Sequence, residues 1–399
     1  MPKAPDALPT VKVSPRGATR LKDGHVWVYR SDIVSAEGVE PGSLIRVTDH
    51  RGKPLGSALY SSSSQIAVRM ISHDPVPDLP ALLRQRIAAA IAYRGPLVTN
   101  TEAYRVIFSE ADFLPGLIVD RYGDILSLQI LTQAMDANLF RDTVISELSQ
   151  RLHPVSIIER VDPRVRELEC LPLRASGLLH GSKSATTFAM NGVQFHFDAL
   201  EGQKTGAFLD QRENYAAAAL YAKGEALDVF CYQGGFALHL ACRCSQVTGV
   251  DSSRPALEVA DQNATLNHQL LNGKEIEWIE ANAFDLLKDY SSSDHRYDTI
   301  VLDPPAFAKS KRDLDAALRG YKELNLRALK MLRPGGILVT CSCSYHVSQL
   351  NFLEMLASAA LDAPHTLRLI EVRGQAKDHP VLLNVPETSY LKCIIASVS

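Results

Sequence analysis

The sequence predicts an α/β protein whose carboxy-terminal half forms a doubly wound parallel sheet. From about residue 190 onward, short apolar strands alternate with helical stretches of 10 to 20 residues, the pattern that builds such a sheet. The predicted strands are Ala226–Phe230, Val247–Val250, Glu275–Ile279, Thr299–Leu302 and Gly336–Thr340, and the clearest helices are Arg254–Asn267 and Tyr321–Leu332.

Two smaller domains are expected before this sheet. Residues 1–75 contain short alternating strands separated by Gly, Pro and Ser, which favours a small β-barrel. The Pro-rich stretch at 74–80 is extended and marks a boundary, so that a central α+β domain occupies 76–188 and the sheet domain 189–399. The central domain is predicted from a helix at 81–94, a hairpin at 117–130, a helix at about 136–152 and a strand at 156–160.

Composition excludes several classes of protein. The 399 residues are 46% hydrophobic with a net charge of −3, which argues against a disordered chain and against a uniformly basic nucleic-acid binder. Seven cysteines lack the spacing of a zinc site, and no apolar run approaches ~20 residues, so no metal and no membrane span are expected. Since the first residues also lack the apolar core of a secretory leader, a cytoplasmic protein with reduced thiols is the expectation.

The first strand–helix turn of the predicted sheet has the features of a cofactor loop. It contains Gly234-Gly235 but not the three-glycine path that a dinucleotide pyrophosphate needs, which disfavours NAD. Asp251 ends the second strand 23 residues after Asp228, near the interval at which an acid accepts ribose hydroxyls. Packing could also explain the glycines, and Asp251 could instead cap the next helix. Together the features favour an adenosine ligand without a pyrophosphate, such as S-adenosylmethionine.

Two basic segments are candidates for binding a polyanion. After strand four, Asp303-Pro304-Pro305-Ala306-Phe307 forms a stiff loop, and the chain from there to Lys330 holds seven Lys/Arg against three acids. Up to and including Arg30, six Lys/Arg accompany two acids beside Trp27 and Tyr29, a combination that could track phosphates and stack a base. In both places the alternative is an ordinary solvated surface of mixed charge.

The fifth strand ends in Cys341-Ser342-Cys343-Ser344. A buried cysteine is usually part of the core, but the carboxyl end of a strand in an α/β sheet opens on the crevice where ligands bind. Alternation would direct Cys341 and Cys343 to the same face, with Cys343 further out. Cys343 is therefore the better candidate for an accessible thiolate.

These motifs together resemble a known family. The segments DVFCYQGGF, VDSSRPALEVADQN, DTIVLDPPAFAKSK, GYKELN and CSCS, with Lys204-Thr205-Gly206-Ala207-Phe208-Leu209-Asp210-Gln211-Arg212, are similar to those of bacterial 23S ribosomal RNA (cytosine-5) methyltransferases with an N-terminal PUA domain. The resemblance covers nearly the whole chain. It implies a PUA-like first domain and a Rossmann-like methyltransferase domain at the carboxy terminus.

The resemblance also implies a set of site residues. The cofactor residues it implies are Phe208, Asp210, Arg212, Tyr232, Gln233, Gly234, Phe236, Asp251, Ser252, Asn282, Ala283 and Asp303. Asn282, expected at the adenine through its amide oxygen, stands where the family usually has an acid, and Cys341 is also unusual. The resemblance therefore leaves both Cys341 and Cys343 as candidate thiols.

The implied reaction is methyl transfer from S-adenosylmethionine to C5 of a cytosine in 23S rRNA, with Cys343 as nucleophile and Asp303 on the base edge. Naked rRNA and an assembling large subunit are both open as substrates, and a homodimer is an open alternative to a monomer. Two other functions compete with this interpretation. One is N-methylation of another rRNA base, and the other is a non-catalytic RNA-binding assembly factor.

Overall fold

A computed structural model describes residues 8–200, 207–308, 310–363 and 365–399. These residues form two compact units. As far as it is described, the first unit comprises residues 8–186, 198–200 and 377–388. The second unit comprises residues 187–197, 207–376 and 389–399, apart from positions 309 and 364. No helix in the described ranges is both long and apolar enough to cross a membrane.

The first unit contains two sheets with their helices. Its elements are β1 (Thr10–Val13), α1 (Pro15–Lys22), β2 (Trp27–Tyr29), β3 (Ile33–Ser35), β4 (Leu44–Thr48), β5 (Pro54–Tyr60), β6 (Ile66–Ser72), α2 (Leu79–Arg94), β7 (Ala103–Phe108), β8 (Leu117–Tyr122), β9 (Ile125–Ile130), α3 (Gln133–Asp136), α4 (Asn138–Leu152), β10 (Ser156–Glu159), α5 (Pro163–Leu168) and β11 (Gly177–His180). The first sheet has the strand order β2-β6-β5-β4-β1-β3, and the second has the order β11-β10-β9-β8-β7. The strands, hairpin and helices expected in these regions are confirmed to within a few residues. Helix α1 was not expected; Ser14 caps its first turn by accepting from the Gly17 N–H.

A hairpin, β12 (Ala185–Met190) and β13 (Val193–Asp198), precedes the main sheet. The remaining elements are α6 (Arg212–Tyr221), β14 (Glu225–Val229), α7 (Gly235–Ala241), β15 (Gln246–Asp251), α8 (Arg254–Leu266), β16 (Ile276–Glu280), α9 (Ala283–Ser291), β17 (Tyr297–Leu302), α10 (Leu314–Met331), β18 (Leu332–Ser342), α11 (Gln349–Asp362), β19 (Leu367–Arg373) and β20 (Lys392–Val398).

The main sheet has the strand order β16-β15-β14-β17-β18-β20-β19. Strands β14 to β18 pair in parallel, whereas β20 is antiparallel to both of its neighbours. The predicted doubly wound sheet is thus confirmed, with two further strands that the sequence pattern did not indicate. The strand order reverses direction beside β14, and ligands of α/β proteins bind at the carboxyl ends of the strands at this point.

Candidate active site

The loop that follows β14 has an unusual backbone. Phe230, Tyr232 and Gly234 have φ angles of 68°, 49° and 83°, in the left-handed region that side chains other than glycine seldom adopt. The loop is held by hydrogen bonds to β15, since the Val250 carbonyl accepts from Phe230 and the Asp251 carboxylate accepts from the Tyr232 N–H at 2.9 Å. Such strain costs about 1–3 kcal/mol per residue and is concentrated at functional sites.

Glycine is required at the two positions of this loop for different structural reasons. Gly234 lies before α7 with a positive φ that disfavours any side chain. A Cβ on Gly235 would lie 2.5 Å from Cζ of Tyr215, so Gly235 is needed for packing against that ring. The packing alternative raised by the sequence therefore applies to Gly235.

Asp251 lies at the end of β15 with its carboxylate beside the loop. Besides Tyr232, it accepts a hydrogen bond from the Ser253 N–H at 2.9 Å. The cap of α8 is Ser253, whose hydroxyl accepts from the Ala256 N–H, so the alternative of Asp251 as the cap does not hold. Ser252, between them, is exposed.

Aromatic side chains form a small pocket next to the loop. The ring of Phe208 lies 5.1 Å from that of Tyr232, and Phe236 packs edge-on against Tyr215. The pocket is also lined by Gln233 and by Asp303, which supplies a carboxylate. The structure therefore brings together five of the predicted residues, Phe208, Tyr232, Gln233, Phe236 and Asp303.

The neighbouring predicted residues Asp210 and Arg212 engage protein groups. The Tyr390 hydroxyl donates to the Asp210 carboxylate at 2.7 Å. Arg212 is buried, with its guanidinium 3.4 Å from the carboxylate of Glu213. The start of the family motif, Lys204-Thr205-Gly206, lies outside the described residues.

Asn282 caps helix α9. Its side-chain oxygen accepts from the Phe284 N–H at 2.9 Å and from the Asp285 N–H at 3.4 Å, and Ala283 begins the helix in a buried position. The oxygen expected at the adenine amine is therefore engaged by the helix.

The two cysteines at the end of β18 have different environments. Cys341 is fully buried opposite Cys393 of β20, whereas Cys343 is partly exposed just beyond the strand, with Sγ 3.9 Å from the Pro304 carbonyl oxygen. Burial, and then the charges of Asp303 and Asp210, raise the pKa of Cys343 to about 11, against the opposing effect of Lys392. The thiol that faces the loop is Cys343, as its position in the sequence indicated.

The serines on either side of Cys343 form hydrogen bonds to the loop after β17 and to helix α10. The Ser344 hydroxyl accepts from the N–H groups of Phe307 and Ala308 at 3.0 and 3.1 Å. The buried Tyr321 hydroxyl lies 3.0 Å from the hydroxyls of both Ser342 and Ser344. The strand end, the loop and helix α10 are thus joined by hydrogen bonds around Cys343.

A second set of hydrogen bonds orients Asp303, and sequence reasoning missed it. The Gln211 amide donates to Asp303 Oδ1 at 2.9 Å, Asn214 donates to the oxygen of Gln211 at 2.6 Å, and Arg373 donates to the oxygen of Asn214 at 2.8 Å. Because each amide is held at both ends, the direction of the chain is fixed, and Gln211 must present its donor to Asp303. Gln211 lies inside a family motif, but nothing local in the sequence indicates its partner 92 residues away.

Asp228, in the middle of β14, is completely buried. One carboxylate oxygen accepts from the Ala237 N–H at 2.8 Å, and among the described residues the other oxygen has no hydrogen-bond partner. Burial, reinforced by the charges of Asp303 and Asp251, raises the pKa of Asp228 well above its usual value. Asp228 therefore keeps its proton to a higher pH in the folded protein than in the unfolded chain.

Asp228→Asn is expected to weaken the fall in the protein's free energy of unfolding as the pH rises. Because the folded-state pKa is raised, the folded chain binds a proton that the unfolded chain has released above pH ~4. Wild-type stability therefore falls by about 1.4 kcal/mol per pH unit between the two pKa values, and the amide removes this contribution. Urea unfolding of both proteins at a series of pH values from about 4 upward measures the difference in slope; parallel slopes throughout would contradict the assignment.

The basic segments are partly engaged within their own units. In the segment that ends at Lys330, Lys322 pairs with Asp362 and Arg327 with Glu323, while Lys309 lies outside the described residues. In the segment that ends at Arg30, Arg16 binds Asp32 at 2.7 Å. Arg20 lies over the ring of Tyr29 at 4.5 Å, and Trp27 donates to Glu110. Lys3, which was counted in the segment that ends at Arg30, also lies outside the described residues.

The described residues contain no group of three or more His, Cys, Asp or Glu arranged to hold a metal ion. The chemistry available at this site is that of a thiol and a carboxylate on adjacent strand ends, beside an aromatic pocket and a strained loop.

Comparison with known families matches both parts of the chain. The profile of a PUA-like domain matches residues 11–73, and that of S-adenosylmethionine-dependent methyltransferases matches residues 170–395. The fold class expected from the sequence, including the PUA-like domain, is thereby confirmed.

Similar proteins span the whole length. Ribosomal RNA large subunit methyltransferase I of Shewanella frigidimarina is 38% identical over 397 residues, covering 97% of this chain and 99% of its own. The protein of the same name from Yersinia pseudotuberculosis is 39% identical, covering 92% and 94%. Among solved structures, SMU.776, provisionally described as a methyltransferase and crystallised with SAH, superposes with a TM-score of 0.82 at 19% identity, covering 97% of this chain and 99% of that one. At that identity the likeness concerns the fold.

Proposed function

This chain belongs to the family of S-adenosylmethionine-dependent methyltransferases that includes ribosomal RNA large subunit methyltransferase I, and on that basis we propose that it methylates C5 of a cytosine in 23S rRNA. The observation that carries the proposal is the partly exposed thiol of Cys343 beside Asp303 at the carboxyl ends of β18 and β17. A nitrogen-methylating enzyme has no need for a thiol at this position.

The residues around the loop fit the family's cofactor. Aromatic rings and a carboxylate, from Phe208, Tyr232, Phe236 and Asp303, suit a sulfonium cation, and Asp251 suits ribose hydroxyls. Asn282 would donate its amide N–H to a ring nitrogen of adenine, rather than accept from the amine through its oxygen. When bound, S-adenosylmethionine supplies an electrophilic methyl group.

A covalent bond to cysteine overcomes the low nucleophilicity of cytosine C5. C5 becomes nucleophilic once the Cys343 thiolate has added to C6, and it can then take the methyl group. Loss of the C5 proton to a base would then break the C6–S bond and release the Cys343 thiolate. With a pKa of about 11 in the free protein, the Cys343 thiol is mostly protonated at neutral pH. The thiolate must therefore form when RNA binds or through a neighbouring cation.

Asp303 would act on the opposite edge of the base. Held by Gln211, its carboxylate can accept from the exocyclic amine of cytosine and so hold the base edge while the adduct forms. A cytosine in a loop costs less to bring to Cys343 than one in a duplex, which must leave its stack. The N-terminal PUA-like domain and the basic side chains after Asp303 are the candidate contacts for rRNA phosphates.

Trapping with a modified RNA tests the proposal. In 5-fluorocytosine the proton that must leave C5 is replaced by fluorine, so the Cys343–C6 bond should persist after methyl transfer. We expect incubation with 5-fluorocytosine-substituted 23S rRNA fragments and S-adenosylmethionine to give a complex stable to denaturant. After nuclease and protease digestion, the nucleotide should be found on the peptide containing Cys343.

The matched control is unmodified RNA, which should give free protein and 5-methylcytosine detectable by nucleoside mass spectrometry. A methylated ring or exocyclic nitrogen as the product, with no adduct, would refute the proposal.

A further inference from the structure

Lys392 is a buried cation that the proposed reaction does not yet use. It is the first residue of β20 and lies opposite Ser342 of β18, so it is adjacent to the cysteine triplet. Its ammonium donates to the carbonyl oxygens of Ser344 at 2.6 Å and Tyr390 at 2.9 Å. The side chain thus reaches along the strand end past Cys343.

A buried lysine needs a reason, because a charged side chain without a counter-ion is expensive to bury. Lys392 is 7% exposed, and no carboxylate among the described residues forms an ion pair with it. Backbone carbonyls accept two of its three N–H groups but carry only partial charge. A full negative charge nearby would appear when Cys343 ionises.

The charged groups around Cys343 act on its thiol in opposite directions. From the loop after β17, Asp303 opposes ionisation of the thiol, and Asp210, before α6, does the same. From α10, Tyr321 contributes a neutral hydroxyl near the strand end. Lys392, from β20, is the cation that favours the thiolate.

We propose that Lys392 is a positioning residue that fixes the end of β18 and acts as counter-ion to the Cys343 thiolate. The inference rests on the proposed function, since it assumes that Cys343 must ionise. The thiol proton leaves to water on the exposed side of Cys343, and the ammonium remains charged. Burial lowers the pKa of Lys392 to about 8, whereas Cys343 acts to raise it, so the lysine is still largely charged at neutral pH.

The test measures thiol reactivity in the full-length protein without RNA. Cys343 is alkylated with iodoacetamide from pH 6.5 to 9.5, and its rate is read from the modified peptide, which separates it from the other cysteines. Lys392→Met removes the charge at similar length. A one-unit rise in a thiol pKa lowers the thiolate fraction about tenfold, and we expect a slowing of about that size at pH 7.

The pH dependence separates a charge effect from a structural one. In the wild type, the rise in rate with pH should flatten near pH 8 as Lys392 loses its proton, and the difference from Lys392→Met should shrink. Lys392→Arg keeps its charge and should rise without flattening. If Lys392→Met does not fold, the comparison of the wild type with Lys392→Arg still tests whether the charge of Lys392 controls the ionisation of Cys343.

Lys274 provides the matched control. Its ammonium also donates to two backbone carbonyls, those of Ala241 and Cys244. Lys274→Met should leave the alkylation of Cys343 unchanged. Equal alkylation of Cys343 in wild type and folded Lys392→Met at pH 7, or a wild-type profile without flattening, would overturn the inference. Neither result would affect the outcome of the trapping experiment or the proposed function. Failure of the trapping experiment alone would refute Cys343 as the nucleophile but not the charge pairing between Lys392 and Cys343.

Discussion

Replacing Cys343 with alanine should reduce methyl transfer by roughly 10⁴-fold or more, because removing a nucleophile eliminates the covalent route rather than weakening it. Cys343→Ser should be nearly as inactive, since a serine hydroxyl is a much poorer nucleophile than a thiolate. Single-turnover transfer of labelled methyl groups to 23S rRNA fragments measures the rate. Binding of S-adenosylmethionine, followed by calorimetry, should stay close to the wild-type value.

Cys341 supplies the control for this experiment, two residues away on the same strand. It is fully buried against Cys393, and burial raises its pKa well above the usual value, so it has no exposed thiolate to offer. Cys341→Ala should keep activity within a few-fold while costing about 1 kcal/mol of stability, a typical value for a single substitution. Full activity in Cys343→Ala would favour nitrogen methylation, and loss of activity in Cys341→Ala alone would reassign the nucleophile.

The parts of the site that follow from local sequence were predictable. Asp251, Asp303 and Cys343 each follow a predicted parallel strand, and the carboxyl ends of such strands meet at one edge of the sheet. Apolar runs separated by helices sufficed to place β14 to β18. The meeting of these strand ends could therefore be predicted from the sequence alone.

What could not be predicted depends on long-range pairing. The antiparallel insertion of β20 beside β18 has no local signature, and this pairing alone brings Lys392 next to the cysteine triplet. Gln211 and Tyr321 likewise acquire their partners only when distant segments pack. Helix α1 was missed for a different reason: the Ser14-Pro15 start signal was present, but the helix is eight residues long. The three-part domain division at 75 and 188 stays a prediction.

Asp303→Asn should have opposite effects on two reactions of the same thiol. The carboxylate opposes ionisation of Cys343, so removing its charge should lower the pKa of Cys343 and speed its alkylation in the free protein. Methyl transfer should nevertheless fall by about 10²–10³-fold, because the base edge loses its charged hydrogen-bond acceptor. The amide oxygen can still accept from Gln211, so the local geometry is retained.

Asp298 offers a matched control for Asp303→Asn on the same strand, since it lies near the start of β17 and pairs with Arg333 at 2.8 Å. Asp298→Asn removes the same charge at the opposite end of the strand and should change neither alkylation nor methyl transfer by more than a few-fold. The two readouts are the iodoacetamide rate at Cys343 and single-turnover methyl transfer. If Asp303→Asn slowed alkylation, the assigned electrostatics would be wrong. If it left methyl transfer intact, Asp303 would have no part in stabilising the adduct, and the base would have to be held by another group.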